Sequence, residues 1–240
     1  MSTPPERVTP QELSPRDHTA PLALITGAAR VNSLAAGIAL RLKADGWGVA
    51  TSDVAAADYP CDLSAPDGPQ TLMDGVNRDR GSVRALVLSH AHEEASGVLN
   101  TTAESFDRHV AVNARASMLL IAAFARQVPS DGGAIVALTS DHTTGNLPYG
   151  ASKGALDRIV VSAARELGPM GISVNALNPG PIDTGWISDD LRSELLVQHP
   201  LGRLGEQSDI AAVVAFLVTR QGRWISGQLL HSDGGFSARL

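Results

Sequence analysis

The chain reads as one doubly wound α/β domain, a mainly parallel sheet with helices on both faces. Three observations predict it. Strand-like and helix-like segments alternate from Pro21 to His231, the pattern of repeated βα units that builds a parallel sheet. No Pro/Gly/Ser-rich linker divides residues 21–240, so a single domain is expected. The polar residues able to do chemistry are Thr26-Gly27, Asp53, Ser89 to His92, Ser140 and Asn178-Pro179-Gly180. All fall at the carboxyl ends of predicted strands, where open α/β sheets bind ligands.

The elements follow in order. Pro21 to Thr26 is an apolar run ending at Gly27, a buried strand. Leu34 to Ala44 repeats apolar residues at helical spacing and stops at Gly46. Val49 to Ser52 is a second strand closed by Asp53. A weak strand lies around Tyr59 to Cys61, and a helix runs from Gln70 to Arg78. Val83 to Leu88 is a clear strand, Ala103 to Gln127 one long helix, and Gly133 to Thr139 a strand. Tyr149 to Leu167 places Leu156, Ile159, Val160, Ala163 and Leu167 on one helical face. Ile172 to Leu177, Gln207 to Thr219 and Gln228 to His231 read as strand, helix and strand. There is no internal repeat.

Composition narrows the function classes. With 240 residues and 43% hydrophobic content the chain can bury a real core. The net charge is −6, and Lys43 and Lys153 are its two lysines, so no basic face for nucleic acid is expected. A lone cysteine, Cys61, forms no internal disulfide. The apolar stretch Ala116 to Ala125 is too short to span a bilayer. Residues 1–20 hold four prolines and no apolar signal core, so they read as a flexible tail and not a signal peptide. A cytoplasmic protein is the expectation.

Tyr149 and Lys153 stand four residues apart at the start of a periodic run. On a helix such residues share a face. An ammonium beside a phenol favours the phenolate, so the pair can move a proton to or from a substrate oxygen. Ser140 closes the preceding strand. Its hydroxyl either positions a substrate oxygen beside the phenol or opens a polar turn. Asn113, mid-helix against its propensity, either organises water leading to Lys153 or satisfies a neighbouring backbone group.

Thr26-Gly27-Ala28-Ala29-Arg30 leads from a strand into a helix, whose free N–H groups suit a pyrophosphate. Against a Gly-Ile-Gly-x-x-Ile-Ala turn, Ser33 and Ala35 hold two glycine positions in a lengthened loop. An ordinary βα turn is the alternative. Asp53 suits a ribose 2′-OH, favouring NAD, or is a solvated turn residue; Arg30 would instead favour the 2′-phosphate of NADP. Asp62 is a candidate for the adenine edge or an exposed loop carboxylate.

Two other readings compete. Gly150-Ala151-Ser152-Lys153-Gly154 matches the Gly-x-Ser-x-Gly of serine hydrolases, with Asp183 and His199 or His231 following. That motif requires a strand running straight into the serine, and here Pro148 precedes it. His90, His92 and His142 lack carboxylates or cysteines at a ligand spacing, so no metal is expected.

Over roughly residues 21–240 the chain resembles the short-chain dehydrogenase/reductase family, of the compact single-domain, Rossmann-type kind. The matching residues are Thr26-Gly27, Asp62-Leu63, Asn113, Ser140, Tyr149-x-x-x-Lys153, Asn175, Asn178 to Thr184, Gly227-Gln228 and Asp233-Gly234-Gly235. The resemblance implies an NAD(P)-dependent oxidoreductase interconverting a carbonyl and an alcohol by hydride transfer. Tyr149 would be the general acid/base, Lys153 would lower its pKa and bind the nicotinamide ribose, Ser140 would position the substrate and Asn113 would support a proton relay. Gly27, Arg30, Ser33, Leu34, Asp53, Asp62, Leu63 and Ala91 would hold the adenosine and phosphates. Pro179, Gly180, Ile182 and Thr184 would hold the nicotinamide, and Trp186 to about Leu201 would cover the substrate. The resemblance further implies a homotetramer or homodimer paired through helices 103–127 and 149–167. The family's Asn-Asn-Ala-Gly is Ser89-His90-Ala91-His92 here, and a histidine in place of that glycine would crowd adenosine. A member of the fold that has lost nucleotide binding and serves as a partner protein is the competing expectation.

Overall fold

The computed structural model describes residues 20–142, 144–185 and 187–238. Its strands are β1 (Leu22–Thr26), β2 (Gly48–Asp53), β3 (Tyr59–Pro60), β4 (Val83–Leu88), β5 (Gly133–Leu138), β6 (Ile172–Asn178) and β7 (Leu229–His231). The helices are α1 (Leu34–Ala44), α2 (Gly68–Arg80), α3 (Ala103–His109), α4 (Ala116–Gln127), α5 (Leu147–Leu167), α6 (Asp189–Gln198) and α7 (Gln207–Leu217). The strands form one parallel sheet in the order β3-β2-β1-β4-β5-β6-β7. The order reverses between β1 and β4, which opens a crevice at their carboxyl ends.

Side chains alternate across each strand and build a core on each face. On one face Leu86 and Leu88 of β4 pack with Met73 of α2, Phe124 of α4 and Leu156 of α5. On the other, Ala85 and Val87 join Ile38 and Leu42 of α1 and Ile210 and Val214 of α7. β6 is buried along its whole length, which is why it reads as a nearly unbroken apolar run.

Local chemistry sets the ends. Ser33 caps α1 by accepting from the Ala36 N–H at 3.1 Å. Asp209 Oδ2 accepts from the Glu206 N–H at the start of α7. Gly27 has φ +77°, and a Cβ there would lie 2.6 Å from the Ser89 carbonyl oxygen. Only glycine lets β1 end so close to the end of β4.

Two expectations change. The long helix over 103–127 is broken by a π-helical turn at Val110–Arg115, which contains Asn113. A helix, α6, occupies a stretch that the sequence leaves as cover; Ser188 caps it through the Leu191 N–H. The short crossover after Asp53 needs no helix because β3 pairs only with Ser52 and Asp53 at the tip of β2. The tail read over 1–20 lies, apart from Ala20, outside the described residues, as does Trp186. Among the described residues, no helix is long and apolar enough to cross a membrane.

Candidate active site

Helix α5 begins with Pro148 in its first turn, where a missing N–H and a fixed φ cost nothing. The Gly150 N–H donates to the carbonyl of Asn146. This start aims Ser152 inward and puts Tyr149 and Lys153 on the face nearest β5. Ser152 is fully buried. It donates to the Tyr149 carbonyl at 2.7 Å and accepts from Asn113 Nδ2 at 2.8 Å. A nucleophile needs an open approach and a base; Ser152 has a packing role, and the hydrolase reading fails at this residue.

Tyr149 and Ser140 line one cleft of about 1070 Å³ with Asn178, Pro179, Gly180 and residues of α6. Ser140 Oγ accepts from the His142 N–H at 3.1 Å, leaving its own hydrogen to donate. Lys153, 3% exposed, donates Nζ–H to the Leu138 carbonyl at 2.8 Å and lies 5.6 Å from the Tyr149 ring centre. Burial lowers the Lys153 ammonium to about 8, against the opposing charges of Asp157 and Glu93. Burial raises the Tyr149 phenol well above its usual range, and the Glu93 carboxylate adds to the rise. The Lys153 Nζ–H is donated to β5, so burial and Glu93 set the direction of the Tyr149 shift. Tyr149 is therefore held as a protonated acid.

Asn113 is clamped rather than poised over solvent. Its Oδ1 accepts from the His92 N–H at 2.7 Å, and its Nδ2 donates to the His92 carbonyl at 2.9 Å and to Ser152. The π turn directs this carboxamide between the loop after β4 and α5. The His92 ring packs on that of His109, centres 4.5 Å apart, so the side chain expected to crowd adenosine is taken up by α3. His90 is buried between Thr26 Oγ1, 2.7 Å from its Nδ1, and the Val112 carbonyl, 3.1 Å from its Nε2. Burial lowers its imidazole to about 3, helped by the charge of Lys153, so it is neutral, with Nε2–H donating.

On the cofactor side, Arg30, Val31 and Asn32 line one pocket with Thr184 and Gly185. The loop after β1 and the loop after β6 thus meet, as a nucleotide spanning both requires. Leu34 opens α1 and Leu63 is buried in the core. Ala91 is exposed beside the loop after β4. Asp53 Oδ2 accepts from the Ala29 N–H at 2.9 Å and Oδ1 from the Val54 N–H at 2.7 Å, so it braces the β1 loop. Asp62 is exposed, and the Ser64 hydroxyl and N–H hold its carboxyl below the usual range. Gly180 has φ +63°, and a Cβ would meet that of Asp233 at 2.5 Å; this explains the Asn-Pro-Gly turn. Ile182 pairs with Gly205 and packs on the α1/α7 core.

The sequence reading missed several residues. Glu93 lines the cleft and accepts from Asn146 Nδ2 at 2.8 Å; its place just past the end of β4 was the available signal. Leu191 and Leu195 of α6 and Phe236 form the apolar wall, and Arg192 pairs with Asp183 at 2.6 Å to anchor α6. Thr139, just past β5, donates to Asp157 of α5 at 2.5 Å, a contact that no local pattern reveals.

Comparison with known proteins places this geometry. A family model described as Enoyl-(Acyl carrier protein) reductase matches residues 27–237. An uncharacterized oxidoreductase of Bacillus subtilis is 34% identical, the match covering 90% of this chain and 96% of that protein. A Serratia marcescens short-chain dehydrogenase/reductase superposes with a TM-score of 0.84 at 28% identity, covering 91% of this chain and 98% of the other. A blue fluorescent protein from a metagenomic library, solved in complex with NADPH, gives 0.83 at 30% identity, covering 91% and 98%.

Proposed function

Because the chain belongs to the short-chain dehydrogenase/reductase family of oxidoreductases, we propose that it reduces a carbonyl to an alcohol at the cleft holding Tyr149 and Ser140. The observation that carries this reading is the meeting of Tyr149 and Ser140 in one cleft with Asn178, Pro179 and Gly180. The phenol is half-buried there, and desolvation together with the Glu93 carboxylate raises it, so it holds the proton that an oxygen gaining negative charge requires.

A reduced nicotinamide, when bound, would supply hydride chemistry. The protein supplies the rest. Ser140 donates its hydroxyl hydrogen to the carbonyl oxygen and holds it beside the phenol. Tyr149 transfers its proton to that oxygen as the carbon is reduced, so hydride and proton together convert carbonyl to alcohol. Lys153, one turn below and tied to the Leu138 carbonyl, would bind the nicotinamide ribose. Asn113 acts through others: it fixes the start of α5 and the loop after β4 in register.

The residues present fit a dinucleotide. Arg30 and Asn32 sit across one pocket from Thr184 and Gly185, and the structural neighbour bound to NADPH supports the class. Asp53 uses one acceptor site on each oxygen for backbone, and a carboxylate has about four. It retains capacity for a ribose diol and repels a 2′-phosphate, which favours NAD over NADP. Assembly through α4 and α5 fits the same reading, since Met118 and Val161 expose apolar side chains there.

Titrating NADH and NADPH while following thermal stability, then following consumption of the reduced nicotinamide with a panel of ketones and aldehydes, tests the proposal. Stabilisation by neither nucleotide at millimolar concentration overturns it and promotes the partner-protein reading.

A further inference from the structure

We propose that Glu93 is a specificity-determining residue that selects carbonyl substrates bearing an ammonium group, an amino ketone in the simplest case. The inference deepens the carbonyl-reductase reading and rests on it for the identity of the cleft.

Glu93 lies on the loop after β4 and lines the same cleft as Tyr149 and Ser140. Its position is fixed. Oε1 accepts from Nδ2 of Asn146, a residue 2% exposed at the N-terminus of α5. The carboxylate also fixes that amide's orientation, because the reverse would set two oxygens against each other. Asn146 Oδ1 is left buried with no donor among the described residues. Glu93 is the acceptor of this pair that reaches the cleft, beside the helix that carries the acid.

The charge balance gives the ligand its sign. Among the described residues, no arginine or lysine lines the cleft. Asp233 there is committed to the N–H groups of Gly235 and Ser237, and Asp141, exposed, is a third carboxylate lining the cleft. Glu93 has one oxygen held by Asn146 and a side chain largely open to the cleft. Its field reaches the reacting end of the site, since it acts on both Tyr149 and Lys153. A keto acid or a phosphorylated ketone would meet repulsion. A neutral ketone would leave the carboxylate unmatched. An ammonium beside the carbonyl would pair with Glu93 and, by cancelling its field, ease proton release from Tyr149.

The test separates this claim from the reading beneath it. Binding of 1-amino-2-propanol, its neutral isostere 2-butanol and anionic 3-hydroxybutyrate is measured by calorimetry on Tyr149→Phe protein saturated with oxidised nicotinamide nucleotide. The expected result is at least about tenfold tighter binding of the amino alcohol than of 2-butanol, as for a hydrogen bond to a charged group. Glu93→Gln, which keeps the acceptor for Asn146 and removes the charge, is expected to erase that ratio. Equal binding of the three ligands, or a ratio that survives Glu93→Gln, overturns the proposal. So does a ratio lost only in Glu93→Ala, because that outcome assigns Glu93 the tether to Asn146 alone. Reduction of aminoacetone and 2-butanone by the wild-type protein is followed in parallel. Absence of turnover with both strikes at the reductase reading, while the binding ratio still reports on Glu93.

Discussion

Ser152 donates its hydroxyl hydrogen to the carbonyl oxygen of Tyr149 at 2.7 Å, three residues earlier on the same helix. The bond ties the first turn of α5 to the π turn, because the same oxygen accepts from Asn113. Ser152→Ala is expected to lower stability by about 1–3 kcal/mol, measured by urea unfolding, since it leaves a buried amide N–H short of one acceptor. A fluorophosphonate probe should leave the wild-type protein unlabelled; labelling at Ser152 would contradict its burial.

Tyr149→Phe should reduce carbonyl turnover by about 100- to 10,000-fold, the usual worth of a general acid. Nucleotide binding, read by thermal shift, should persist. Near-normal turnover in this variant would remove Tyr149 from the reaction.

His90 predicts an acid sensitivity. Its folded pKa lies near 3 against a usual value of 6.5. Between these values the unfolded chain binds a proton that the folded chain refuses, so stability falls as pH drops from 6.5 toward 3. The slope for this one group is at most about 1.4 kcal/mol per pH unit. Carboxylates titrate in the same window, so the observable is the difference between wild type and His90→Asn. The variant should lose stability less steeply on acidification, and parallel curves would refute the assignment.

Asp53→Ala should weaken NADH binding by about tenfold or more and affect NADPH less, through loss of a ribose acceptor and of repulsion toward the 2′-phosphate. It should also loosen the loop after β1, because the Ala29 and Val54 N–H groups lose their acceptor. Hydrogen exchange at those amides reports the second effect independently of nucleotide.

Val161→Asp places a charge on the exposed apolar face of α5. Sedimentation should show dissociation to monomers if α4 and α5 form the contact between copies. An unchanged assembly would place that contact elsewhere.

Sequence carried the fold far. The boundaries of α1 and β4 match because Ser33, Gly46 and the apolar run to Leu88 are local signals. The Tyr149–Lys153 pair was legible from spacing, and Gly27 and the turn at Gly180 from position. What escaped depends on distant partners. The apolar period runs on through 103–127, and only the pull of His92 and Ser152 on Asn113 reveals the π turn. Lys153 bonds a carbonyl on β5 and Glu93 stands beside Tyr149, and helical spacing shows neither partner. Asp53 was visible as a carboxylate, but its grip on Ala29 required the folded loop. Helix α6 has no buried residue, hence little periodicity to read.

The π turn at Val110–Arg115 also fixes how the chain tolerates length change. A π turn carries roughly one residue more than an α turn. Deleting one residue there would restore straight α-helix and swing Ala103–His109 by about 100°. His109 would leave the ring of His92 and the Glu94 N–H that it now accepts from, and the loop bearing Glu93 would lose its floor. Surface connections elsewhere can gain or shed a residue quietly; here the residue count itself is part of the mouth of the cleft.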